Sequence, residues 1–164
     1  IIPTNGSIEI DGEILHKDIK FPRSIGALIE NPSFLPQYTG YKNLELLASI
    51  QHKIGKEEIR KAMLDVGLNP DDKRKYRKYS LGMKQKLGIA SAFMENPDII
   101  ILDEPINAID EAGVKNVKQM LNEAKERGAV IITACHDAEE LQELSDEIIQ
   151  ISEGRIIKDD KTGD

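Results

Sequence analysis

Two short apolar runs, separated by one amphipathic segment, constrain the fold of this chain more than any other feature. The runs, residues 99–103 and 129–134, are each about one strand long. Between them Val114, Val117 and Leu121 recur at helical spacing. A strand, a helix and a strand in this order indicate two parallel strands joined by a right-handed crossover. The sequence therefore predicts an α/β fold.

The ends of the chain have the patterns of β-structure. Apolar and polar residues alternate around Asp11-Gly12, which predicts a hairpin over residues 6–14. Residues 24–29 suit a buried strand that leads into a loop at Glu30, where two nearby prolines exclude helix. A second hairpin is predicted from two strands at residues 147–152 and 155–158.

The middle of the chain is predicted to be helical. Residues 39–67 fit two helices that are broken near Gly55, with Thr39 as the N-cap of the first. Another helix begins at Ser80 and ends before Asn96-Pro97, and a short one is predicted over residues 138–144. We expect one domain over residues 1–164, in which residues 39–97 form a helical subdomain.

Charge, cysteine content and hydropathy disfavour several classes of protein. The formal net charge is -7, which opposes binding to nucleic acid, because such binding depends on Lys and Arg that neutralise phosphates. Cys135 is the single cysteine, so an internal disulfide is excluded and a reducing, cytoplasmic compartment is expected. No apolar run approaches the roughly 20 residues of a membrane helix.

Two adjacent carboxylates end the strand predicted at residues 99–103. In open parallel sheets ligands bind at the carboxyl ends of strands, so Asp103 and Glu104 would lie at a ligand site. Asp103 would help to hold Mg²⁺, through a water, and Glu104 would orient or deprotonate an attacking water. The alternative is that the pair caps the helix that starts near Asp110.

Two further segments have weaker individual signals. His136 follows the strand at residues 129–134 and can hydrogen-bond a γ-phosphate, although a lone histidine is more often structural. Ser80 and Gly82 lie at a helix start, where free amides and the helix dipole favour an anion. An ordinary N-cap is the alternative for Ser80.

Together these segments resemble the ATP-binding subunits of ABC transporters. Residues 80–85 resemble the signature loop of that family, and residues 99–104 resemble its Walker B strand with the catalytic Glu. Residues 107–110 resemble the D-loop, His136 matches the switch histidine, and Glu30 falls at the Q-loop position. The resemblance covers essentially the whole chain, with the motifs in the order and spacing of the family.

The resemblance implies a P-loop NTPase-like ABC ATPase fold: a mostly parallel sheet with flanking helices, a helical subdomain and antiparallel hairpins. It implies ATP and Mg²⁺ as cofactors, and a head-to-tail dimer in which each nucleotide lies between two subunits. Glu104 and His136 would be catalytic, and Asp103 and Glu30 would lie at the metal. The residues implied to bind the nucleotide are Ser80, Gly82, Asp103, Asp110 and Glu30.

Departures from the family pattern narrow the resemblance. The signature loop of the family reads Leu-Ser-Gly-Gly-Gln, whereas this chain has Leu81 and Met83 on either side of Gly82. The family has a Gln where this chain has Glu30. With residues 31–34 and 39–41, these variations resemble the bacterial branch that exports bacitracin, lantibiotics and similar peptides. Leu81 replaces a glycine of the family, which removes a close approach of the backbone to the nucleotide. Met83 replaces a glutamine, which removes an amide side chain.

The phosphate-binding loop of the family, Gly-x-x-x-x-Gly-Lys-Ser/Thr, does not occur in the 164 residues. In the family it precedes the strand that corresponds to residues 7–10. The first residues, Ile1-Ile2-Pro3-Thr4, have neither a starting Met nor the features of a signal peptide. We therefore expect an N-terminally truncated domain that, alone, neither binds ATP tightly nor hydrolyses it.

The resemblance also implies a permease partner in the membrane, with this subunit peripheral on the inner face. Phe34, Leu35, Tyr38 and Tyr41 are predicted to form the contact, and the basic residues 73–78 are predicted to be a solvated face. Two other functions remain open at this point. One is a soluble ABC-type ATPase that acts without a permease, and the other is a truncated, non-catalytic interaction module.

Overall fold

The computed structural model of the chain describes residues 2–30, 32–136, 142 and 145–161. The described residues begin with a hairpin of β1 (Glu9–Ile10) and β2 (Glu13–Ile14), which pair antiparallel. Both turn residues have positive φ, 52° at Asp11 and 80° at Gly12, which is the backbone that favours Asp-Gly in two-residue hairpins. The predicted first hairpin is confirmed.

The central sheet has three parallel strands in the order β3 (Ile25–Leu28), β4 (Ile99–Asp103) and β5 (Val130–Ala134). Leu28 lies opposite Leu102, and Asp103 lies opposite Ala134, so all three strands end at the same edge. The long helix α4 (Glu111–Glu126) connects β4 to β5. The predicted strand–helix–strand unit is confirmed.

Three more helices lie between β3 and β4: α1 (Gly40–Gln51), α2 (Lys56–Asp65) and α3 (Leu81–Phe93). The predicted caps are present, since the Thr39 hydroxyl accepts from the Lys42 amide and the Ser80 hydroxyl from the Met83 amide, each at 3.2 Å. These bonds satisfy amides that a helix start leaves unpaired. A short 3₁₀ helix at Tyr76–Lys78, which the sequence analysis did not predict, precedes α3.

The core lies between these helices and the sheet. α3 packs on β3 and on α2, and α1 packs on α2. The largest fully buried side chains come from all of these layers and are Leu44, Met63, Val66, Leu87, Ile89, Ile100, Leu102, Pro105 and Val117. The second half of α3 packs on β3 through Gly88 and Ala92, and its first turn lies beside the loop at the edge where the strands end.

The last elements are β6 (Glu147–Ser152) and β7 (Arg155–Lys161), an antiparallel pair that turns at Glu153 and Gly154. The second predicted hairpin is confirmed, although β7 extends three residues past the predicted end at residue 158. The short helix predicted over residues 138–144 falls, apart from residue 142, outside the described residues.

Several apolar side chains of the strands remain exposed. They lie on β5 and on the last hairpin and are Val130, Ile132, Ile149, Ile151, Ile156 and Ile157. Among the described residues, no helix has the length and apolar character needed to cross a bilayer.

Candidate functional site

Three strand ends bring the predicted site residues to one edge of the sheet. Glu30 follows β3, Asp103 ends β4 and is followed by Glu104, and His136 follows β5. A cleft of about 300 Å³ opens at this edge. Its lining residues are Glu30, Leu81, Gln85, Asp103, Glu104, Asn107 and Ala108. The carboxyl edge of a parallel sheet is where ligands bind in α/β folds.

Glu104 and His136 are in direct contact. The Glu104 carboxylate accepts a hydrogen bond from the His136 backbone amide at 3.1 Å, and the same oxygen lies 2.7 Å from His136 Nδ1. When Nδ1 has the proton, the ring is a second donor to that carboxylate. The Glu104 carboxylate is thus directed to the neighbouring strand end and not to the start of α4. This argues against the alternative that Glu104 caps that helix.

Asp103 and Glu30 supply two more carboxylates to the cleft. Asp103 is half-buried at the end of β4, whereas Glu30 is exposed and has a left-handed backbone with φ of 56°. Within the described parts of the chain, no group of three His, Cys, Asp or Glu side chains is arranged to hold a metal ion. Mg²⁺ usually takes only one or two protein carboxylates, with waters and phosphates completing its shell, so this donor set fits it.

The first turn of α3 lies against the loop that follows Glu104. A Cβ atom added to Gly82 would lie 2.5 Å from the Ala108 carbonyl oxygen, a distance at which the loop would have to move. Gly82 therefore has a packing reason to be glycine within this chain, which the sequence analysis missed. Its role toward a nucleotide stays a prediction, as does that of Ser80, which is exposed at the N-cap.

Gln85 is a site residue that the sequence analysis did not single out. Its side chain is buried, with 7% exposure, and its amide donates to the Glu104 carbonyl at 2.9 Å and to the Pro105 carbonyl at 3.3 Å. The signal was available in the helical spacing: Gln85 shares the buried face of α3 with Gly88 and Ala92. A polar residue on a buried face must find partners.

Asp110 is bound by a side chain of α3. Lys86 Nζ lies 2.5 Å from its carboxylate, and the Lys86 side chain is only 13% exposed. The hydrogen bond from Lys86 lowers the pKa of Asp110 from its ordinary value. Asp110 is also the N-cap residue of α4, where a negative charge is favoured by the helix dipole. Its predicted role at the nucleotide stays a prediction.

A second surface combines the loop after Glu30 with the basic segment before α3. The Tyr76 hydroxyl donates to the Pro32 carbonyl at 2.5 Å, and its ring meets that of Phe34 edge-on with centroids 5.3 Å apart. The Tyr76 amide donates to the Tyr38 carbonyl at 2.7 Å. Burial raises the pKa of Tyr76. The cations of residues 73–78 are exposed as predicted, but Tyr76 among them is buried.

The predicted permease contact on this surface is only partly exposed. Phe34 and Tyr41 are half-buried and pack against the core, whereas Leu35 and Tyr38 are exposed, at 46% and 36%. The four residues therefore divide into two that support the surface and two that are available for contact.

The sequence is similar to proteins of one family. A family model described as ABC transporter matches residues 1–107. An uncharacterized ABC transporter ATP-binding protein of Bacillus subtilis, YybJ, is 47% identical over 161 residues, which are 98% of this chain and 74% of that protein. The bacitracin transport ATP-binding protein BcrA of Enterococcus faecalis is 36% identical over 96% of this chain. The chain spans about half the length of BcrA, 52%.

Solved structures resemble the fold closely. A dimeric ATP-binding cassette, MJ0796 in a post-hydrolysis state bound to ADP and Pi, gives a TM-score of 0.85 at 21% identity, over 99% of this chain and 75% of that one. The protein cbiO1 from Clostridium perfringens, part of the ABC transporter complex cbiONQ, gives 0.77 at 25% identity, over 99% of this chain and 68% of that one. The predicted fold class is confirmed by these likenesses.

Proposed function

This chain belongs to the ATP-binding proteins of ABC transporters, and from that premise we propose that it is part of a subunit that binds and hydrolyses ATP to drive transport. The observation that carries the proposal is the contact between Glu104 and His136 at the carboxyl edge of the sheet. The edge has an acidic group beside a histidine, at the end of strands where α/β proteins bind nucleotides.

Glu104 orients or deprotonates the water that attacks the γ-phosphate in line. Its carboxylate accepts a hydrogen bond from the His136 amide, which holds it at the carboxyl edge of the sheet. His136 contacts the same carboxylate through its ring and responds to the presence or loss of the γ-phosphate. Glu104 therefore has the role of a general base, which requires its carboxylate to lie within hydrogen-bond reach of the water.

Asp103 and Glu30 would hold Mg²⁺ beside the phosphates. Both line the cleft, and their carboxylates are the hard oxygen donors that this ion prefers. The ion, when bound, neutralises charge on the phosphate oxygens during transfer. Asp103 is the better anchored of the two, because it ends a strand that is paired on both sides and is half-buried, whereas Glu30 is exposed.

The working unit is a head-to-tail dimer. Ser80, Gly82 and Asp110 would complete the nucleotide site of the partner subunit, while Asp103, Glu104 and His136 serve the subunit's own site. The exposure of Ser80 at the start of α3 supports this arrangement, because a helix N-terminus that is open to solvent can receive a phosphate.

The dimer is tested by mixing two defective variants of the full-length protein. Ser80→Arg should inactivate the nucleotide site that Ser80 completes in the partner subunit. Glu104→Gln should inactivate the nucleotide site of its own subunit. In a head-to-tail dimer of both variants, one site has both defects and the other has none. Random pairing is expected to restore about a quarter of the wild-type rate of phosphate release, since half of the dimers are mixed and have one intact site each.

The two variants are mixed in the unfolded state and refolded together, and the control is each variant refolded alone in the same way. A mixture that stays as inactive as both of its components would contradict the shared site, because a site built within one subunit is not repaired by a partner.

The permease would dock on Leu35 and Tyr38, which Phe34, Tyr41 and Tyr76 support from below. Exposed apolar side chains on a rigid support are typical of contact surfaces. The relatives include transport proteins for bacitracin and, in Streptococcus pyogenes, a lantibiotic transport ATP-binding protein, SrtF, 35% identical over 94% of this chain. We propose export of such a peptide as the process that is driven.

Replacing both Leu35 and Tyr38 by Ser should uncouple the subunit from its permease. Loss of two exposed apolar contacts is expected to lower co-purification with the permease by about tenfold or more, since fully burying one large apolar side chain contributes about 1.5–3 kcal/mol. The tolerance of the cells to bacitracin or a lantibiotic should fall together with the co-purification, while the variant protein stays folded. The control is Ile50→Ser on α1, which removes a side chain that is 74% exposed elsewhere. Unchanged assembly and tolerance would contradict the proposed surface.

A further inference from the structure

The first turns of α3 contact the loop 104–110 at its beginning, its middle and its end. Gln85 donates to the carbonyls of Glu104 and Pro105, and Gly82 packs on the Ala108 carbonyl. Lys86 binds the carboxylate of Asp110. Side chains that are adjacent in sequence on α3 therefore hold both ends of one short loop.

Glu104 has a backbone conformation that requires such support. Its φ is 47°, in the left-handed region that a residue with a side chain rarely adopts. Such a conformation persists only where the surroundings fix it. The Glu104 amide donates to the Ala134 carbonyl of β5 at 2.9 Å, and its carbonyl accepts from Gln85. The residue is thus fixed from the sheet on one side and from α3 on the other.

The two bonds from Gln85 use the full donor capacity of its amide. A glutamine amide has two N–H groups, and here one nitrogen faces two successive carbonyls at 2.9 Å and 3.3 Å. The side chain is buried, so water cannot readily replace it. The direction of the Glu104 carboxylate therefore depends on where α3 holds Gln85.

We propose that Gln85 is a positioning residue for Glu104: it fixes the backbone of Glu104 so that the carboxylate meets His136, and it transmits any displacement of α3 to that carboxylate. The inference rests on the proposed function in one respect, namely that Glu104 acts on the attacking water. The contact between Gln85 and the Glu104 backbone is independent of that role, and it can be examined without turnover.

The test uses Gln85→Met in the full-length protein, because Met keeps the length and bulk of Gln but donates no hydrogen bond. We expect kcat for ATP hydrolysis to fall about tenfold, because a base that is retained but misplaced acts less efficiently than one in the correct position. The nucleotide dissociation constant should stay within about threefold, since the Gln85 amide nitrogen is already bonded to the carbonyls of Glu104 and Pro105. Gln85→Ala serves as a second variant if Met is poorly tolerated.

The second readout is the ring resonances of His136 in a nucleotide-free NMR spectrum. If Gln85 fixes Glu104, these resonances should shift in Gln85→Met, while those of His16 and His52 stay in place. The latter two histidines lie outside the cleft and act as internal references. The resonances report on the Glu104 contact whether or not the protein hydrolyses ATP.

Two controls separate positioning from stability. Gln119→Met replaces an exposed glutamine on α4 and should leave both readouts unchanged. Ile89→Val removes a buried methylene from α3 and should lower Tm without moving the His136 resonances. The proposal is overturned if the resonances and kcat of Gln85→Met match the wild type, or if Ile89→Val reproduces both changes. If Glu104→Gln has no effect on hydrolysis but His136 shifts in Gln85→Met, the proposed function fails and the positioning survives.

Discussion

Glu104→Gln is expected to lower kcat for ATP hydrolysis by about 10²–10⁴-fold in the full-length protein, the contribution of a positioned general base. The amide keeps the shape of the carboxylate, and its carbonyl oxygen can still accept from the His136 amide, which lies 3.1 Å from the Glu104 carboxylate. Geometry is therefore retained while basicity is lost. Phosphate release at saturating ATP measures the effect.

The matched control is Glu126→Gln, the same change at an exposed position at the end of α4. It should leave kcat unaltered, because Glu126 is exposed at the end of α4 and does not line the cleft. An activity of Glu104→Gln above about a third of the wild-type value would exclude Glu104 as the group that acts on water, since a lost general base costs at least about a hundredfold.

Asp103→Asn separates the two acids of the pair. If Asp103 holds Mg²⁺, its loss should raise the Mg²⁺ concentration needed for half-maximal activity, and excess Mg²⁺ should restore part of the rate. Glu104→Gln should show no such recovery. If both variants respond alike to Mg²⁺, the division of labour between Asp103 and Glu104 is wrong.

Elements with strong local patterns were predictable from the sequence. The Asp-Gly turn requires positive φ at Asp11 and Gly12, and the apolar run before Asp103 forms a buried strand at the position its composition predicts. Thr39 and Ser80 cap helices as their hydroxyls predict. The parallel sheet then brings Glu30, Glu104 and His136 to one edge, although the chain separates them widely.

Contacts between side chains and distant backbone were not predictable. Gln85 reaches the Glu104 carbonyl 19 positions away, and Lys86 reaches Asp110 24 positions away. Both bonds depend on the angle at which α3 crosses the loop, which no local pattern specifies. Spacing revealed only that Gln85 was on the buried face. The burial of Tyr76 within a basic run is similar, because its hydroxyl bonds the Pro32 carbonyl, 44 positions away.

The angle of α3 is fixed in part at its other end, by Gly26 of β3. A Cβ atom there would lie 1.8 Å from the Ala92 carbonyl oxygen and 2.9 Å from Pro97 Cγ, so the close approach of α3 to the sheet requires glycine. The clash is with backbone at the end of the helix and not with a flexible side chain. Relief requires that α3 or β3 moves.

Gly26→Ala is therefore expected to destabilise the protein by about 3 kcal/mol or more, the upper part of the range for overpacked cores. For a protein of this size that corresponds to a fall in Tm of about 6–12 °C, measured by calorimetry of the full-length protein. The matched control is Gly55→Ala at the start of α2, where the nearest atom to a new Cβ is Glu58 Oε2 at 3.4 Å. That change should cost about 1 kcal/mol or less.

A displaced α3 has a consequence at the site as well. Because the same helix holds Gln85 against the Glu104 carbonyl, Gly26→Ala should lower kcat more than Gly55→Ala does, at a temperature where both variants are folded. A Tm of Gly26→Ala within about 2 °C of the wild type would show that β3 and α3 have room to separate. In that case the packing at Gly26 would not fix the helix, and the position of Gln85 would be set by its bonds to the loop alone.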